Sequence, residues 1–337
     1  MRRHFVQIST LLGTLALTFF GLLVVTFLIG RVVPIDPVLA AVGDRASADV
    51  YEQVRIEMGL HRPLWQQFLF YVGDVLRGDF GKSVLTAQPV LSDIRRVFPA
   101  TLELATLATF IGLIIGIPAG VAAAVHQGKW PDHLVRFLGL IGYSMPIFWL
   151  GLLGLLLFYA WLDWVPGPGR LDVFYDDLVE PITGVILIDA AISGDWDVWW
   201  NALSHLILPA ALLGYLSLAY ISRMTRSLML EQLGQEYITT ARAKGLSETA
   251  VIWRHALGNT AVPLVTVVAL SYANLLEGSV LTETVFAWPG LGLYITNSLL
   301  NADMNAVLGG TIVVGSVFIG INLLSDVLYR SLDPRAR

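Results

Sequence analysis

Six long apolar runs constrain the fold of this chain more than any other feature of its sequence. A run of about 18 or more residues with few or no charges is long enough to cross the hydrocarbon core of a bilayer as one helix. Charged residues make up only 14% of the chain, against about a quarter in soluble domains. We therefore predict an all-α polytopic membrane protein with six transmembrane helices. The predicted spans cover residues 7–30, 101–125, 135–162, 201–222, 259–282 and 304–328.

Several kinds of functional site are excluded by composition and spacing. The chain has no cysteine, which rules out disulfides, thiolate metal sites and cysteine nucleophiles. Its six histidines show no paired metal-ligand spacing, and no G-x-S-x-G nucleophile elbow occurs. A net charge of −5 without a strongly basic face gives no reason to expect nucleic-acid binding. The sequence therefore predicts no catalytic residue, no metal and no cofactor bound by this chain.

A Gly-Lys-Ser triplet at Gly81–Ser83 is similar to the end of a phosphate-binding loop. The complete loop would need another glycine at the position of Leu76, and no buried strand precedes the triplet. We interpret the triplet as a solvated turn, and we predict that the chain has no ATPase site of its own.

The distribution of Lys and Arg predicts the orientation in the membrane. If the N-terminus is cytoplasmic, the segments on that side carry twelve of the 21 basic residues. The outer loop 163–200 then has only Arg170 against eight acidic residues, and the outer loop 283–303 has no basic residue. The outer segment 31–100 has eight, but it is too long for the rule to apply. Both termini are therefore predicted to be cytoplasmic.

The organisation along the chain follows from these spans. Within the outer segment, apolar residues recur at helical spacing in 63–76, and a second short helix is predicted from Ser47 to Met58, ended by Gly59. We interpret these helices as an amphipathic cap at the bilayer surface. The predicted parts are a first transmembrane helix (1–30), the outer cap (31–97), a permease core with five transmembrane helices (98–330) and a cytoplasmic tail (331–337).

A polar insert at 223–263 separates the fourth and fifth spans and carries five Lys and Arg residues. Residue types that favour helix dominate from Leu230 to Lys244, and Gly245 is placed to end that helix in a left-handed conformation. Ser247 can cap a following helix. Two helices that meet at a glycine corner are more than a connecting loop needs. We predict that the insert docks on a partner protein.

Carboxylates within apolar spans are candidates for function, because a charge in lipid is costly. Glu277 lies late in the fifth span and is a candidate for the translocation path; the alternative is a hydrogen-bonded carboxyl buried between helices. Glu103 and Asp326 lie near span ends, where we expect them to reach interfacial water.

The polar insert also identifies a family. The stretches EYITTARAKGLS (Glu236–Ser247) and RHALGN (Arg254–Asn259), followed by Pro263, resemble the EAA-type coupling loop of ABC-importer permeases. Further motifs place the resemblance in the dipeptide and oligopeptide branch, in the B-type inner-membrane subunit, over nearly the whole chain. These motifs lie at Gly59–Phe68, Arg77–Ser83, Phe98–Leu104, Gly142–Trp149, Leu187–Asp197, His205–Ala210, Arg223–Ser227, Thr282–Gly292 and Leu332–Arg337.

The resemblance implies a type I ABC importer fold and a set of partners in the bacterial inner membrane. A homologous second permease subunit would form a heterodimer with this chain, two cytosolic ATPases would hold ATP and Mg²⁺, and an extracytoplasmic solute-binding protein would deliver the peptide. Membrane lipid would surround the spans. The residues that match the coupling motif are Glu236, Thr240, Ala241, Ala243, Gly245, Leu246, Ala256 and Leu257.

The sequence departs from the family pattern at three places. Ile35 stands where a P-x-D-P turn usually has glycine, and residues 302–305 read Ala-Asp-Met-Asn where an Arg-Asp-Tyr-Pro run is usual. Glu277 occupies a position where a small residue is usual. Nickel chelates, glutathione, haem and antimicrobial peptides therefore stay open as cargo beside dipeptides. An ion-coupled secondary transporter is the alternative from another class, and it gives no reason for the coupling insert.

Overall fold

The computed structural model describes residues 2–32, 37–43 and 45–332. Within these ranges every regular element is a helix, apart from one isolated bridge between Lys82 and Pro89. Five helices are long and apolar enough to cross a membrane, and a bent helix pair raises the number to six if it counts as one span. The predicted all-α membrane fold is confirmed. Ile35 and most of the predicted tail, residues 333–337, lie outside the described residues.

The long helices extend past most of the apolar runs that predicted them, because hydropathy detects only the part suited to lipid. The fourth predicted span, for example, ends at Ser222, whereas its helix continues to Leu233. The five long elements are α1 (Arg2–Val32), α5 (Val90–Val125), α9 (Trp196–Leu233), a π-helical turn (Ala250–Ala256) that continues as α11 (Leu257–Gly278), and α14 (Met304–Leu332).

The third predicted span is two helices rather than one. Helix α6 (Trp130–Ser144) and helix α7 (Ile147–Gly154), which continues as a π-helix (Leu155–Trp161), are bent by 100° relative to each other. Met145, which precedes Pro146, is extended at φ −94° and ψ 131°. Proline disfavours helical geometry in the residue before it, so the helix ends there.

Contacts divide the chain into two units, Met1–Phe98 with Gly290–Ile319, and Pro99–Pro289 with Gly320–Arg337. The first unit contains most of the predicted outer cap. Ser47 caps α3 through the Val50 amide, and Pro63 directly precedes α4, so both predicted cap helices are confirmed. The assignment of segments to sides of the membrane stays a prediction. The shorter helices of this unit are α2 (Pro37–Val42), α3 (Ala48–Glu57), α4 (Leu64–Leu76) and α13 (Leu291–Leu300).

The Gly81–Ser83 turn is not simply solvated, and that prediction is wrong for Ser83, which is buried. The Asp303 carboxylate accepts hydrogen bonds from the Ser83 hydroxyl (2.5 Å) and from the amides of Val84 (2.8 Å) and Leu85 (3.2 Å). Its other oxygen accepts from the Ala306 amide at the start of α14 (3.3 Å). Ser83 and the two amides that follow it thus hold a carboxylate of the chain itself.

In the second unit, α5 packs directly on α9 through glycines spaced four residues apart. A side chain at Gly112 would overlap Ser217, and one at Gly120 would come within 2.6 Å of the Ser222 carbonyl oxygen. Gly116 has the same role against Ile221. Small residues repeated at this spacing let two membrane helices approach until their backbones touch.

Glu103 does not reach interfacial water as expected. It is buried on α5 and accepts two hydrogen bonds from the Arg170 guanidinium (2.5 and 3.1 Å) and one from the Leu187 amide (3.0 Å). The segment that follows the bent helix pair covers Glu103. Because that segment is far from Glu103 in the sequence, the contact could not be predicted. Asp326 is exposed, as expected. The second unit also contains α8 (Ile186–Ser193), α10 (Glu236–Ala243) and α12 (Val280–Val285).

Candidate coupling site

The predicted helical corner is present, but its two arms differ from the expectation. The first arm is interrupted at Gly234 and Gln235, so that α10 contains only eight residues. Gly245 has φ +79°, the left-handed conformation predicted for it, and the Ser247 hydroxyl accepts from the Ala250 amide (3.3 Å). The second arm is not a short helix, because it continues into the fifth span without a break. Any displacement of α10 is therefore applied directly to a membrane helix.

One face of α10 is fixed to the ends of three other helical segments. Ile238 and Ala241 are buried against Val121 of α5, Met229 of α9 and Val251 of the π-helical turn. Ile238 is fully buried, and burial of such a side chain contributes about 2–3 kcal/mol. The short helix, too short to be stable alone, is held by this cluster.

The eight residues that match the coupling motif separate into two groups in the structure. Those that contribute to packing are Ala241 and Ala256, which are buried, and Leu257, which is half-buried. The others form an exposed surface around the corner, composed of Glu236, Thr240, Ala243, Gly245 and Leu246. Leu246 is 41% exposed. Small residues beside one exposed leucine form a surface that a groove on another protein can approach closely.

An ion pair that sequence reasoning missed closes the corner. The Arg242 guanidinium donates to both oxygens of Glu248, at 2.8 and 3.1 Å. The two residues are six apart on different helices, so no helical-spacing rule points to them. The hydrogen bond from Arg242 lowers the pKa of the Glu248 carboxyl. Because the folded-state pKa is depressed, the pair contributes fully above the unfolded pKa, and its contribution is lost as the pH falls through the folded value.

We expect Arg242→Gln to loosen this corner without unfolding the chain, since exposed ion pairs contribute little to the stability of the whole fold. Amide hydrogen exchange over residues 242–250 should accelerate about two- to fivefold at pH 7. Lowering the pH below the folded-state pKa of Glu248 should remove the difference between variant and wild type, after correction for intrinsic exchange. Equal exchange at pH 7 would show that the pair has no role at the corner. Lys244→Gln, which removes an exposed charge without a carboxylate partner in the described chain, is the control.

A buried ion pair anchors α6 to α9 in the same unit. The Arg226 guanidinium donates to both oxygens of Asp132, at 2.6 and 2.9 Å, and the Gly128 amide donates to the same carboxylate at 2.9 Å. The side chain of Asp132 is only 1% exposed. Asp132 precedes the apolar run of the third predicted span. Apart from the opposite charges, nothing in the sequence indicated that Asp132 pairs with Arg226. The pair fixes the part of α9 that leads to α10.

Glu277 is exposed near the end of α11 and makes no hydrogen bond or ion pair within the described part of the chain. Glu277 is therefore not buried between the described helices of this chain. Glu277 lies at the end of the fifth span that is opposite to the corner. Its role in transport stays a prediction.

Comparison with known protein families shows the family to which the chain belongs. Residues 116–337 match the family described as the binding-protein-dependent transport system inner membrane component, and residues 2–105 match the N-terminal part of such components. The chain belongs to this family. The helical corner and the exposed surface around Gly245 lie within the larger of the two matched regions.

Individual members of the family are similar over nearly their whole length. The chain is 46% identical to the probable D,D-dipeptide transport system permease protein DdpB of Escherichia coli (strain K12), over 95% of this chain and 94% of that protein. It is 44% identical to the di/tripeptide transport system permease protein DppB of Pseudomonas aeruginosa (strain UCBPP-PA14), over 98% of each.

A solved structure shows the fold. A chain of the inward-facing MetNI methionine ABC transporter superposes on this chain with a TM-score of 0.50 and 17% identity, covering 69% of this chain and 93% of that one. The chain is thus a multi-pass membrane component with the fold of a type I ABC importer permease.

Proposed function

We propose that this chain is a transmembrane subunit of a bacterial ATP-driven importer that carries dipeptides or short oligopeptides into the cytoplasm. The similarity of the whole chain to permeases named for dipeptides and di/tripeptides supports the cargo. The observation that carries the mechanism is the exposed surface around Gly245, on a short helix packed against the ends of α5, α9 and the fifth span.

The partners follow from this mechanism. Two cytosolic ATPases bind ATP and Mg²⁺, and one of them docks on the corner of this chain. A homologous second permease completes the path, and an extracytoplasmic solute-binding protein delivers the peptide. Closure of the ATPases displaces α10, and the helices packed against it move between inward-open and outward-open arrangements. Coupling requires only that ATP binding and peptide delivery favour the same arrangement.

The topology supports this arrangement. The inner-membrane location, with both termini and the corner in the cytoplasm, rests on the twelve basic residues on that side. ATP is available on the same side. The chain itself contributes no bond chemistry, and its role is to convert the motion of partner ATPases into access to the path.

Reconstitution tests the proposal. The full complex in proteoliposomes should take up a labelled dipeptide when binding protein is outside and ATP inside, and uptake should stop when ATP is replaced by a non-hydrolysable analogue. Preference for a nickel chelate, glutathione, haem or an antimicrobial peptide would overturn the cargo. Uptake driven by a proton or sodium gradient without ATP would overturn the mechanism.

Glu277 gives a prediction about charge selectivity. If it lies along the path, Glu277→Gln should slow transport of a cationic dipeptide about two- to fivefold relative to a neutral one, because an attractive charge is removed. Initial uptake rates of both dipeptides in the same proteoliposomes measure this. Glu180→Gln, an exposed carboxylate of the outer loop, should leave the ratio unchanged. An unchanged ratio in Glu277→Gln as well would remove Glu277 from the path.

A further inference from the structure

A cleft of about 590 Å³ lies between α6 and α9, away from the exposed surface of the corner. Cationic side chains are concentrated in it: Arg136 from α6, and Arg223 and Arg226 from α9. Among the described residues that line it, none is acidic. Three guanidinium groups around one cleft at the end of membrane helices are unusual, because charges near lipid are costly unless they are paired.

Only one of the three arginines has a carboxylate partner among the residues that the structure describes. Arg226 is bound to Asp132. Arg223 donates to the Tyr143 hydroxyl at 3.1 Å and lies 4.5 Å from the centre of its ring, a neutral partner that leaves its charge uncompensated. Arg136 is exposed and makes no ion pair with any described residue. The cleft therefore carries a net positive charge that an anion can neutralise.

The wall of the cleft that continues from these cations along α6 is apolar and exposed. Phe137 is 60% exposed and Leu140 is 65% exposed. They are one helical turn apart, and Tyr143 follows after another turn. A ligand that fits both parts has a negative head at the arginines and an apolar chain along α6.

We propose that this cleft binds an anionic phospholipid, with its phosphate at Arg136 and Arg223 and one acyl chain along Phe137 and Leu140. Guanidinium groups bind phosphate oxygens with directed hydrogen bonds. Basic pockets between membrane helices bind anionic headgroups on this principle. The proposal does not depend on the transported cargo.

Two other occupants fit parts of the cleft less well. The carboxylate of a transported peptide matches the charge, but it leaves the exposed apolar stripe on α6 uncovered. A second membrane subunit could cover that stripe, but burial of Arg136 and Arg223 against it would need carboxylates from the subunit. The lipid accounts for both the charge and the apolar stripe.

Lipid retention measures the binding. The full-length chain, with the subunits that co-purify with it, is placed in nanodiscs of equal parts phosphatidylglycerol and phosphatidylethanolamine, and the lipids retained after extraction are counted by native mass spectrometry. Wild type should retain phosphatidylglycerol preferentially. Arg136→Gln and Arg223→Gln should each weaken retention roughly fivefold, and the double variant roughly 25-fold, as expected for removal of about one near-surface charge contact each.

Two further variants serve as controls: one removes a charge outside the cleft, and the other keeps the charge within it. Lys129→Gln removes a positive charge from the residue that precedes α6 but does not line the cleft, so it should retain the lipid as wild type does. Arg136→Lys combined with Arg223→Lys should recover part of the preference, since the charge is restored without the directed hydrogen bonds of the guanidinium groups. Recovery distinguishes headgroup binding from a structural role of the two arginines.

Four outcomes would overturn the proposal. Equal retention of the two lipids by wild type would show that the charge does not select a headgroup. A loss in Lys129→Gln as large as in Arg136→Gln would assign the effect to general surface charge. Displacement of phosphatidylglycerol by a free dipeptide would assign the cleft to cargo. Protection of Arg136 and Arg223 from arginine-modifying reagents by a second subunit in lipid-free complex would assign it to an interface.

Discussion

Replacing Gly245 with proline should reduce the substrate-stimulated ATP hydrolysis of the assembled transporter to its unstimulated rate. Gly245 has φ +79°, whereas proline is fixed near −65°. The substitution also removes the amide that donates to the Arg242 carbonyl oxygen at 2.9 Å. The corner cannot keep its shape, and Leu246 is displaced from the exposed residues of α10 that complete the surface. ATP hydrolysis with and without loaded binding protein measures the coupling directly.

The chain offers a closely matched control for this substitution. Gly194 has φ +78°, donates its amide to the carbonyl of Ala190 at the end of α8, and, like Gly245, has open space around it. Gly194→Pro imposes the same backbone strain in a segment predicted to lie on the other side of the membrane. It should leave the stimulation largely intact. If Gly245→Pro kept full stimulation while the complex assembled normally, the corner would not be the coupling element.

Replacing Asp132 with alanine should destabilise the chain by about 3–5 kcal/mol, the usual cost of removing one partner of a buried ion pair. The Arg226 side chain is only 21% exposed and its guanidinium would be left without its carboxylate, and the Gly128 amide would lose its acceptor. Thermal unfolding of the purified complex, followed by tryptophan fluorescence, should show a midpoint lower by about 10 °C. Asp132→Asn, which keeps the shape and one of the two acceptor oxygens, should have a midpoint between those of Asp132→Ala and wild type.

A compensating double substitution separates the ion pair from other effects of the site. Asp132→Leu with Arg226→Met replaces both charges by apolar groups of similar length, which is often neutral or stabilising when a buried pair is exchanged as a whole. The double variant should therefore unfold at a higher temperature than Asp132→Ala. A midpoint as low as that of Asp132→Ala would mean that Asp132 stabilises the chain through its contact with Gly128 rather than through Arg226.

The sequence predicted what depends on local pattern. Long apolar runs gave the membrane helices, and the glycine and serine around Gly245 and Ser247 gave the corner, because helix ends are determined by the few residues at them. The break at Gly234 was missed, since one glycine at αR geometry among good helix formers is a weak signal. The extent of α9 was missed for a different reason. The apolar run marks only the part of a helix that is suited to lipid, whereas α9 continues beyond that run.

What could not be predicted depends on residues far apart in the chain. Asp303 binds the Ser83 turn, Arg170 covers Glu103, and Asp132 pairs with Arg226, each across many tens of residues. A single sequence shows only that these charges exist. Whether Glu277 is buried could not be predicted either, because apolar neighbours along a helix do not reveal which face of it another helix covers.

The glycine contact between α5 and α9 has a mechanical consequence. Gly112, Gly116 and Gly120 leave only side chains of α9, such as Ser217 and Thr225, between the two backbones, so the two helices have little room to be compressed against each other or to slide. A displacement of α10 against Met229 of α9 is therefore expected to move α5 and α9 together. We expect bending to occur instead where a helix is broken, at Met145 and Pro146 between α6 and α7. We therefore expect α5 and α9 to move together as one body, and the break between α6 and α7 to bend.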